Sequence, residues 1–216
     1  MAPFARAVHQ DLHRVIHMSE RLILASGSAA RAEMLRRAGV VFAKDPARID
    51  EGAFTAGLQA SGANFRDIAD ALAESKARKV AAKHPGAVVL GADQVLEFEG
   101  RIVSKPKSRE DAVQQLMSMR GADHKLHSAA VIFEGARPAW RHVGQARLKM
   151  AQRSDAWIAG YVDRNWDHIR HSAGAYRIED EGIRLFSRVD GDHFVVLGLP
   201  LLEVLSYLAM RGTLPS

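Results

Sequence analysis

The chain has 216 residues, of which 47% are hydrophobic and 25% are charged, so it can bury a full core without disulfide bonds. It contains no cysteine, which excludes thiol redox chemistry, thiolate metal sites and a catalytic thiol, and which agrees with a reducing cytoplasm. A formal net charge of +5 suits a polyanionic ligand such as a nucleotide, and it suits a nucleic-acid surface equally well.

Two classes of partner are disfavoured by the distribution of residues. Lys and Arg are interleaved with Asp and Glu and form no basic block, so we expect no nucleic-acid partner. No apolar run approaches the roughly 20 residues that a membrane helix needs. We therefore predict a soluble, cytoplasmic protein without a membrane partner.

Residues 1–20 differ from the rest of the chain. They lack the apolar stretch of a signal peptide, and Met18 lies just before the first predicted strand. We predict one domain over residues 21–216, preceded by an N-terminal extension over residues 1–20 that is either disordered or the product of a wrongly assigned start codon. A helix there would place His9, His13 and His17 on one face, as a metal site requires, but no other feature supports such a site.

The first half of the chain alternates short apolar segments with amphipathic ones. This pattern predicts an α/β fold built on a mixed, largely parallel sheet. A strand over residues 21–25 leads through Ser-Gly-Ser into a helix that Gly39 ends near residue 38. A second helix covers residues 65–80, and residues 87–90 form a continuous apolar strand, as expected for burial on both faces.

The second half is predicted to contain more strands. A hairpin over residues 95–103 turns at Glu99 and Gly100. Helices begin after Ser108, Ser154 and Pro200, which are residue types that start helices. Further strands are predicted over residues 126–133 and 145–150, and around Tyr176, Leu185 and Val195.

Arg31 occupies an unfavourable position for a cation. Ser28 is a natural N-cap, and Arg31 follows in the first turn of the predicted helix, near the positive end of its dipole. An anion bound there would explain the placement, because a strand, a Ser-Gly-Ser turn and free helix N–H groups form a phosphate cradle. An arginine that extends into solvent would explain it equally well.

Lys76 interrupts an apolar stripe. It lies four residues after Leu72 and four before Val80, so helical spacing places it among apolar residues. Such a lysine either extends its ammonium to solvent or meets a negative partner. The second alternative is a lysine at a cleft wall that reaches a phosphate.

Asp93 follows the apolar strand over residues 87–90, and open α/β sheets bind ligands at the carboxyl ends of their strands. A half-buried carboxylate there is costly unless it holds a metal, pairs with a cation or acts as a base, although it could simply cap a turn. Lys105, fixed by Pro106, approaches from the far arm of the hairpin. Three cations and a carboxylate in one cleft indicate a phosphate-ester hydrolase.

Seven short motifs occur in a fixed order. They are Leu-Ala-Ser-Gly-Ser-Ala-Ala-Arg at 24–31, Ile-Asp-Glu at 49–51, Glu-Ser-Lys-Ala at 74–77, Gly-Ala-Asp-Gln at 91–94, Lys-Pro at 105–106, Ala-Gly-Ala-Tyr at 173–176 and Leu-Gly-Leu-Pro at 197–200. Each is weak alone, but together, from Leu22 to Leu214, the chain resembles the Maf or septum-formation-protein family of nucleotide pyrophosphatases.

The resemblance implies a two-lobed, ITPase-like fold around a central cleft, a homodimer, and cleavage of a nucleoside triphosphate to its monophosphate and pyrophosphate with Mg²⁺ or Mn²⁺. Asp93 would be the catalytic proton acceptor, and Glu51 and Asp93 would hold the metal. The triphosphate would be bound by Ser26, Ser28, Arg31, Lys76 and Lys105. The family name also raises an alternative, a division-arresting protein that acts by interaction and whose catalysis is incidental.

Residues 94 and 179 bear on the base. Gln94 replaces the Thr of the subgroup that takes dTTP and UTP, and Glu179 replaces its Gln; both resemble the subgroup that prefers 7-methyl-GTP. A carboxylate can accept hydrogen bonds from the N1–H and N2–H₂ groups of guanine. Ala29 and Ala30 replace the Pro followed by Trp or Arg of the subgroups, so the pocket lacks one large side chain near Ala30. We expect a modified nucleotide such as 7-methyl-GTP, with dTTP or UTP as the alternative.

Overall fold

The computed structural model describes residues 21–214, and it confirms the predicted α/β fold with a mixed sheet of seven strands. The strands are β1 (Leu22–Leu24), β2 (Ala43–Lys44), β3 (Val88–Phe98), β4 (Arg101–Val103), β5 (Asp123–Glu134), β6 (Arg137–Met150) and β7 (Phe186–Asp190). The helices are α1 (Ala29–Arg37), α2 (Glu51–Ala60), α3 (Phe65–Ala81), α4 (Arg109–Met119), α5 (Asp155–Ile169), α6 (His193–Val196) and α7 (Leu201–Met210), with 3-10 turns at Ala173–Ala175 and Glu181–Leu185.

The predicted extension over residues 1–20, with His9, His13 and His17, lies outside the described residues, so the domain boundary stays a prediction. Among the helices of the described part, none is long and apolar enough to cross a membrane.

The sheet is less parallel than the sequence predicted. In the strand order β2-β1-β3-β5-β6-β7, β1 is parallel to β2 and β3, whereas the β3–β5, β5–β6 and β6–β7 pairs are antiparallel, as is the β3–β4 hairpin. The expectation of a largely parallel sheet is therefore wrong. The reason is that tight turns, at Glu99–Gly100 and at Gly135, reverse the chain directly, and these turn residues have positive φ angles.

Strand β3 has an interrupted edge. One edge pairs with β5 from Val88 to Glu97; along the other edge, pairing with β1 stops at Leu90 and pairing with β4 starts at Leu96. Residues 91–95 therefore lack a partner strand on that edge, an interval we call the β3 gap. Asp93 lies in this gap, in the middle of a continuous strand rather than at the end of one as predicted, but at the carboxyl end of the parallel neighbour β1.

Helix α3 packs closely against one face of β3. Its apolar stripe includes Ile68, Leu72 and Val80, all buried against the sheet. Gly91 permits the contact, because a Cβ atom at this position would lie 2.2 Å from Ala73 O. The short separation brings the middle of α3 next to the β3 gap.

Three apolar clusters surround the cleft. One lies under α3, one under α1 and α7, and the third lies between α4, α5 and the far ends of β5 and β6. The first two clusters lie on one side of the central cleft and the third lies on the other. Residues from both sides line this cleft, which agrees with the predicted two-lobed arrangement.

The segment before α7 differs from the prediction. The strand predicted around Leu185 is present as β7, which starts at Phe186, but the strands predicted around Tyr176 and Val195 are absent: a 3-10 turn precedes Tyr176, and Val195 lies in helix α6. Val195 is helical because Asp192 caps α6, its Oδ1 accepting a hydrogen bond from Val195 N at 2.9 Å. This helix places two backbone carbonyls beside the β3 gap.

Candidate active site

A cleft of about 700 Å³ opens at the β3 gap. Its walls come from the loop before α1, from α2, α3 and β3, from the segment after β4, and from the end of α5 with the 3-10 turn that follows. All ten residues singled out from the sequence line it: Ser26, Ser28, Ala30, Arg31, Glu51, Lys76, Asp93, Gln94, Lys105 and Glu179.

Lys76 is the buried centre of an ion-pair group. Its Nζ lies 2.5 Å from Asp93 Oδ1 and 2.7 Å from Glu51 Oε1. Lys76 and Asp93 are only 6% and 7% exposed, so the lysine does not extend to solvent and the alternative of a negative partner is correct. Two carboxylates around one ammonium leave a net negative charge, which further cations in the cleft offset.

Glu51 is the first residue of α2, a helix that the sequence did not predict. Asp50 caps it, since Asp50 Oδ1 accepts a hydrogen bond from Ala53 N at 3.0 Å. Partial burial raises the pKa of Glu51, but the hydrogen bond from Lys76 and the charges of Lys76, Lys105 and Arg31 outweigh it and hold this pKa below its usual value. Glu51 is therefore ionised at neutral pH.

Arg31 connects three parts of the cleft wall. Its Nη1 donates to Ser26 Oγ and Ala92 O, each at 3.0 Å, and its Nε donates to Gly198 O at 2.7 Å. Burial lowers the pKa of Arg31, while the charges of Asp93 and Glu51 act in the opposite direction. The solvent-extended alternative is wrong, and Nη2 remains without a hydrogen bond from residues 21–214.

Ser28 caps α1 as predicted, because its Oγ accepts a hydrogen bond from Arg31 N at 3.3 Å.

Lys105 is exposed at the cleft, and its positive charge lowers the pKa of Glu51. Ala30 leaves its part of the wall without a large side chain, as its sequence implies.

Gln94 points away from Asp93. Consecutive strand residues face opposite sides of a sheet, so Asp93 faces α3 whereas Gln94 faces α6. The Nε2 of Gln94 lies 2.9 Å from Ser128 Oγ and 3.1 Å from the carbonyl oxygens of both Val195 and Val196. Glu179 lies elsewhere on the cleft wall, where its Oε1 accepts a hydrogen bond from Arg177 at 3.0 Å.

Several cleft residues were not singled out from the sequence. Ser128 does not line the cleft but contacts Gln94, which does; its signal was a hydroxyl in the middle of an apolar strand, and its partner is set by the β3–β5 register. Asp167, His168 and His171, at the end of α5, line the far wall. Polar residues at a helix end are typical of solvent-facing surface, so no sequence signal separated them from it.

Carboxylates are the groups in this cleft suited to a divalent cation. Across residues 21–214, no three His, Asp or Glu side chains are grouped so as to hold a metal. Asp93 and Glu51 each engage one oxygen with Lys76, and the second oxygen of each accepts no hydrogen bond in the described part of the chain. This fits the way Mg²⁺ binds, through one or two carboxylates together with substrate phosphates.

The fold and the site define the class: a hydrolase with an α/β fold, whose buried carboxylate lies beside cations in an open cleft. The profile of the family described as Maf-like protein matches residues 21–211, and the chain belongs to this family. The resemblance found in the seven motifs is thereby confirmed.

The chain is similar to characterised relatives over nearly their whole length. A nucleoside triphosphate pyrophosphatase from Ruegeria pomeroyi is 59% identical over 197 residues, which cover 91% of this chain and 99% of that protein. A 7-methyl-GTP pyrophosphatase from Brucella abortus is 43% identical over 191 residues, covering 88% and 96%. Among solved structures, a nucleoside-triphosphatase (dITP/XTP pyrophosphatase) from Mycobacterium abscessus is 14% identical with a TM-score of 0.40, covering 90% of this chain and 98% of that one.

Proposed function

We propose that this enzyme hydrolyses a nucleoside triphosphate to the monophosphate and pyrophosphate, and that its substrate is a modified nucleotide such as 7-methyl-GTP. The observation that carries the proposal is the group of Asp93, Lys76 and Glu51 at the β3 gap, in which Asp93 and Lys76 are buried. The names of the two relatives, which act on nucleoside triphosphates and on 7-methyl-GTP, support it.

Asp93 is the proposed base. Its Oδ1 is held by Lys76, so Oδ2 is the atom that takes a proton from the attacking water. A positioned base contributes about 10²–10⁴-fold to a rate. Lys76 fixes the orientation of the carboxylate.

The triphosphate is proposed to bind along Ser26, Ser28, Arg31, Lys76 and Lys105. Arg31 offers its unused Nη2 donors, and the start of α1 offers backbone N–H groups to an anion. Lys105 is exposed, so its ammonium can move to meet the phosphates. Neutralising these oxygens is the main requirement for attack on a phosphoanhydride.

Asp93 and Glu51 would hold the Mg²⁺ or Mn²⁺ ion, Glu51 through the oxygen that Lys76 does not engage and Asp93 through the lone pair of Oδ2 that the attacking water does not use. Bound there with substrate, the cation would neutralise phosphate charge and polarise the bond to be cleaved.

The proposal includes a cytoplasmic homodimer, without a nucleic-acid partner, that removes non-standard nucleotides and is linked to the arrest of cell division. The second candidate function is a dTTP and UTP pyrophosphatase, because the small Ala30 does not decide which base the pocket takes.

The test is a panel of 7-methyl-GTP, GTP, ITP, dTTP and UTP, assayed for pyrophosphate release by metal-stripped enzyme with and without added Mg²⁺ or Mn²⁺. We expect metal-dependent release with the highest kcat/KM for 7-methyl-GTP. A preference for dTTP and UTP would favour the second candidate. Release from none of the five would favour a protein that acts by interaction.

A further inference from the structure

Ser128 is a fully buried hydroxyl next to the cleft. It lies in the middle of β5, directly opposite Gln94 on β3, and it is 0% exposed. Its Oγ donates to Val195 O at 2.7 Å and accepts from Gln94 Nε2 at 2.9 Å. Buried polar groups need such partners, and both partners here belong to the wall that Gln94 forms.

The hydrogen bonds around Gln94 determine which end of its amide faces the cleft. The carbonyl oxygens of Val195 and Val196 can only accept, so the Gln94 atom that contacts both must be the NH₂ group. The hydroxyl proton of Ser128 is used by Val195 O, which leaves Ser128 Oγ as a third acceptor for the same NH₂ group. The Oε1 atom therefore lies on the other side, and it accepts no hydrogen bond from residues 21–214.

Glu179 adds a second acceptor to the same cleft. Arg177 engages its Oε1 only, so Oε2 is available to a ligand. Gln94 and Glu179 line the same cleft, and an amide oxygen with a carboxylate oxygen supplies the two acceptors that a base edge with adjacent donors needs. Guanine-type bases carry N1–H beside N2–H₂, whereas adenine places an acceptor beside its amino group and uracil flanks its single N–H with two acceptors.

We propose that Ser128 is a positioning residue that, with the last carbonyls of α6, holds the Gln94 amide so that its oxygen and Glu179 accept hydrogen bonds from a 2-amino-6-oxopurine edge. The inference rests on the proposed function and adds to it the residue that orients Gln94 toward the base. Ser128 acts through Gln94 and does not contact the substrate.

The test compares 7-methyl-GTP with the matched 7-methyl-ITP, which lacks the 2-amino group, on the wild type and on Ser128→Ala. The alanine removes one acceptor and frees the amide to rotate. One hydrogen bond is worth a few-fold to about tenfold in affinity. We expect the kcat/KM ratio of the two nucleotides to fall by roughly 3- to 10-fold in Ser128→Ala, mainly through a higher KM for 7-methyl-GTP.

Two further variants make the result specific to the hydroxyl. Ser128→Thr keeps the hydroxyl and is expected to retain most of the wild-type ratio. Ser187→Ala removes a hydroxyl that bonds Lys149 O outside the cleft, and it should leave the ratio unchanged. Because both nucleotides are measured on one preparation, a fraction of misfolded enzyme cancels from the ratio.

The outcomes separate this inference from the proposed function. A loss of kcat/KM in Ser128→Ala that is equal for both nucleotides would mean that the serine only supports folding, and it would overturn the inference. A wild-type ratio near one would overturn the base-edge assignment while the pyrophosphatase proposal stands. If the wild type releases pyrophosphate from neither nucleotide, the proposed function itself fails.

Discussion

Lys76 Nζ contacts Asp93 Oδ1 at 2.5 Å, across the interface between a helix and a strand that are both almost fully buried at this point. Breaking a buried pair by removing one partner is costly, because it leaves a charge without compensation. The pair therefore fixes the carboxylate in one orientation toward the cleft.

Asp93→Asn should separate catalysis from binding. The amide oxygen can still accept from Lys76, but an amide cannot take a proton from water. We expect turnover to fall by about 10²–10⁴-fold while nucleotide affinity changes only a few-fold. Pyrophosphate release and equilibrium binding measure the two quantities. Asp163→Asn, at an exposed position on α5, is the control, and near-normal turnover in Asp93→Asn would remove this residue from the base role.

Gly91→Ala should disturb the site through packing alone. The added Cβ would meet Ala73 O at 2.2 Å and Ala77 N at 2.7 Å, so α3 must move away from β3 and carry Lys76 with it. We expect a loss of about 1–3 kcal/mol in the free energy of unfolding, measured in urea, and reduced activity.

Gly57→Ala is the matched control for this packing change. Gly57 lies inside α2, where an added Cβ has no atom within 4 Å, so alanine should be neutral or stabilise by up to about 1 kcal/mol. Equal effects of the two substitutions would show that the α3–β3 contact tolerates displacement.

The ends of several helices could be predicted from the sequence, because each end is determined by a few neighbouring residues. Ser28 and Gly39 mark the ends of α1, and Ser108 and Ser154 cap their helices as expected. The apolar stripe of α3 likewise follows from spacing along one segment. Such features depend on residues within one or two helical turns, so no knowledge of the tertiary fold is needed.

The partners of the site residues could not be predicted from spacing. Lys76 meets Asp93 and Glu51 only because Gly91 lets α3 approach β3, and the length of β3 is determined by its pairing with β5. The family motifs brought the same residues together by resemblance, without giving their contacts. Neither residue spacing nor the family motifs indicated Ser128, because its contact with Gln94 depends on the β3–β5 register.

Lys105→Ala should weaken binding without affecting folding. Lys105 is exposed, and surface substitutions usually change stability by no more than about 0.5 kcal/mol. We expect KM for the nucleotide to rise about tenfold, since one phosphate contact is lost, and the pKa of Glu51 to rise because a nearby positive charge is removed. Steady-state kinetics and side-chain NMR measure these effects; a lower kcat with an unchanged KM would contradict the phosphate-binding role.

His124 should make the protein less stable in mild acid. Burial lowers its pKa from 6.5 to about 4, and its Nε2 lies 2.8 Å from Tyr176 Oη. In the unfolded chain the imidazole binds a proton once the pH falls below its ordinary pKa of 6.5, whereas in the folded chain it does so only near pH 4. The free energy of unfolding therefore decreases as the pH falls from 6.5 to about 4. The loss amounts to about 3 kcal/mol.

Urea unfolding of the wild type and of His124→Gln across this range measures the effect. The variant should lose most of the pH dependence, whereas His193→Gln, at an exposed position, should keep it. An unchanged pH dependence in His124→Gln would assign the acid sensitivity to other groups.

The pleat of β3 separates two tasks that lie next to each other in sequence. Asp93 contacts Lys76 of α3 on one face of the strand, whereas Gln94 contacts the carbonyl groups of α6 on the other face. The two residues therefore have different neighbours. Under the proposed roles, a lineage that acquires a new preferred base can vary the α6 side of the strand while the Asp93 side keeps its geometry. Divergence of specificity at constant chemistry is thus available through single substitutions, and a protein engineer can follow the same route.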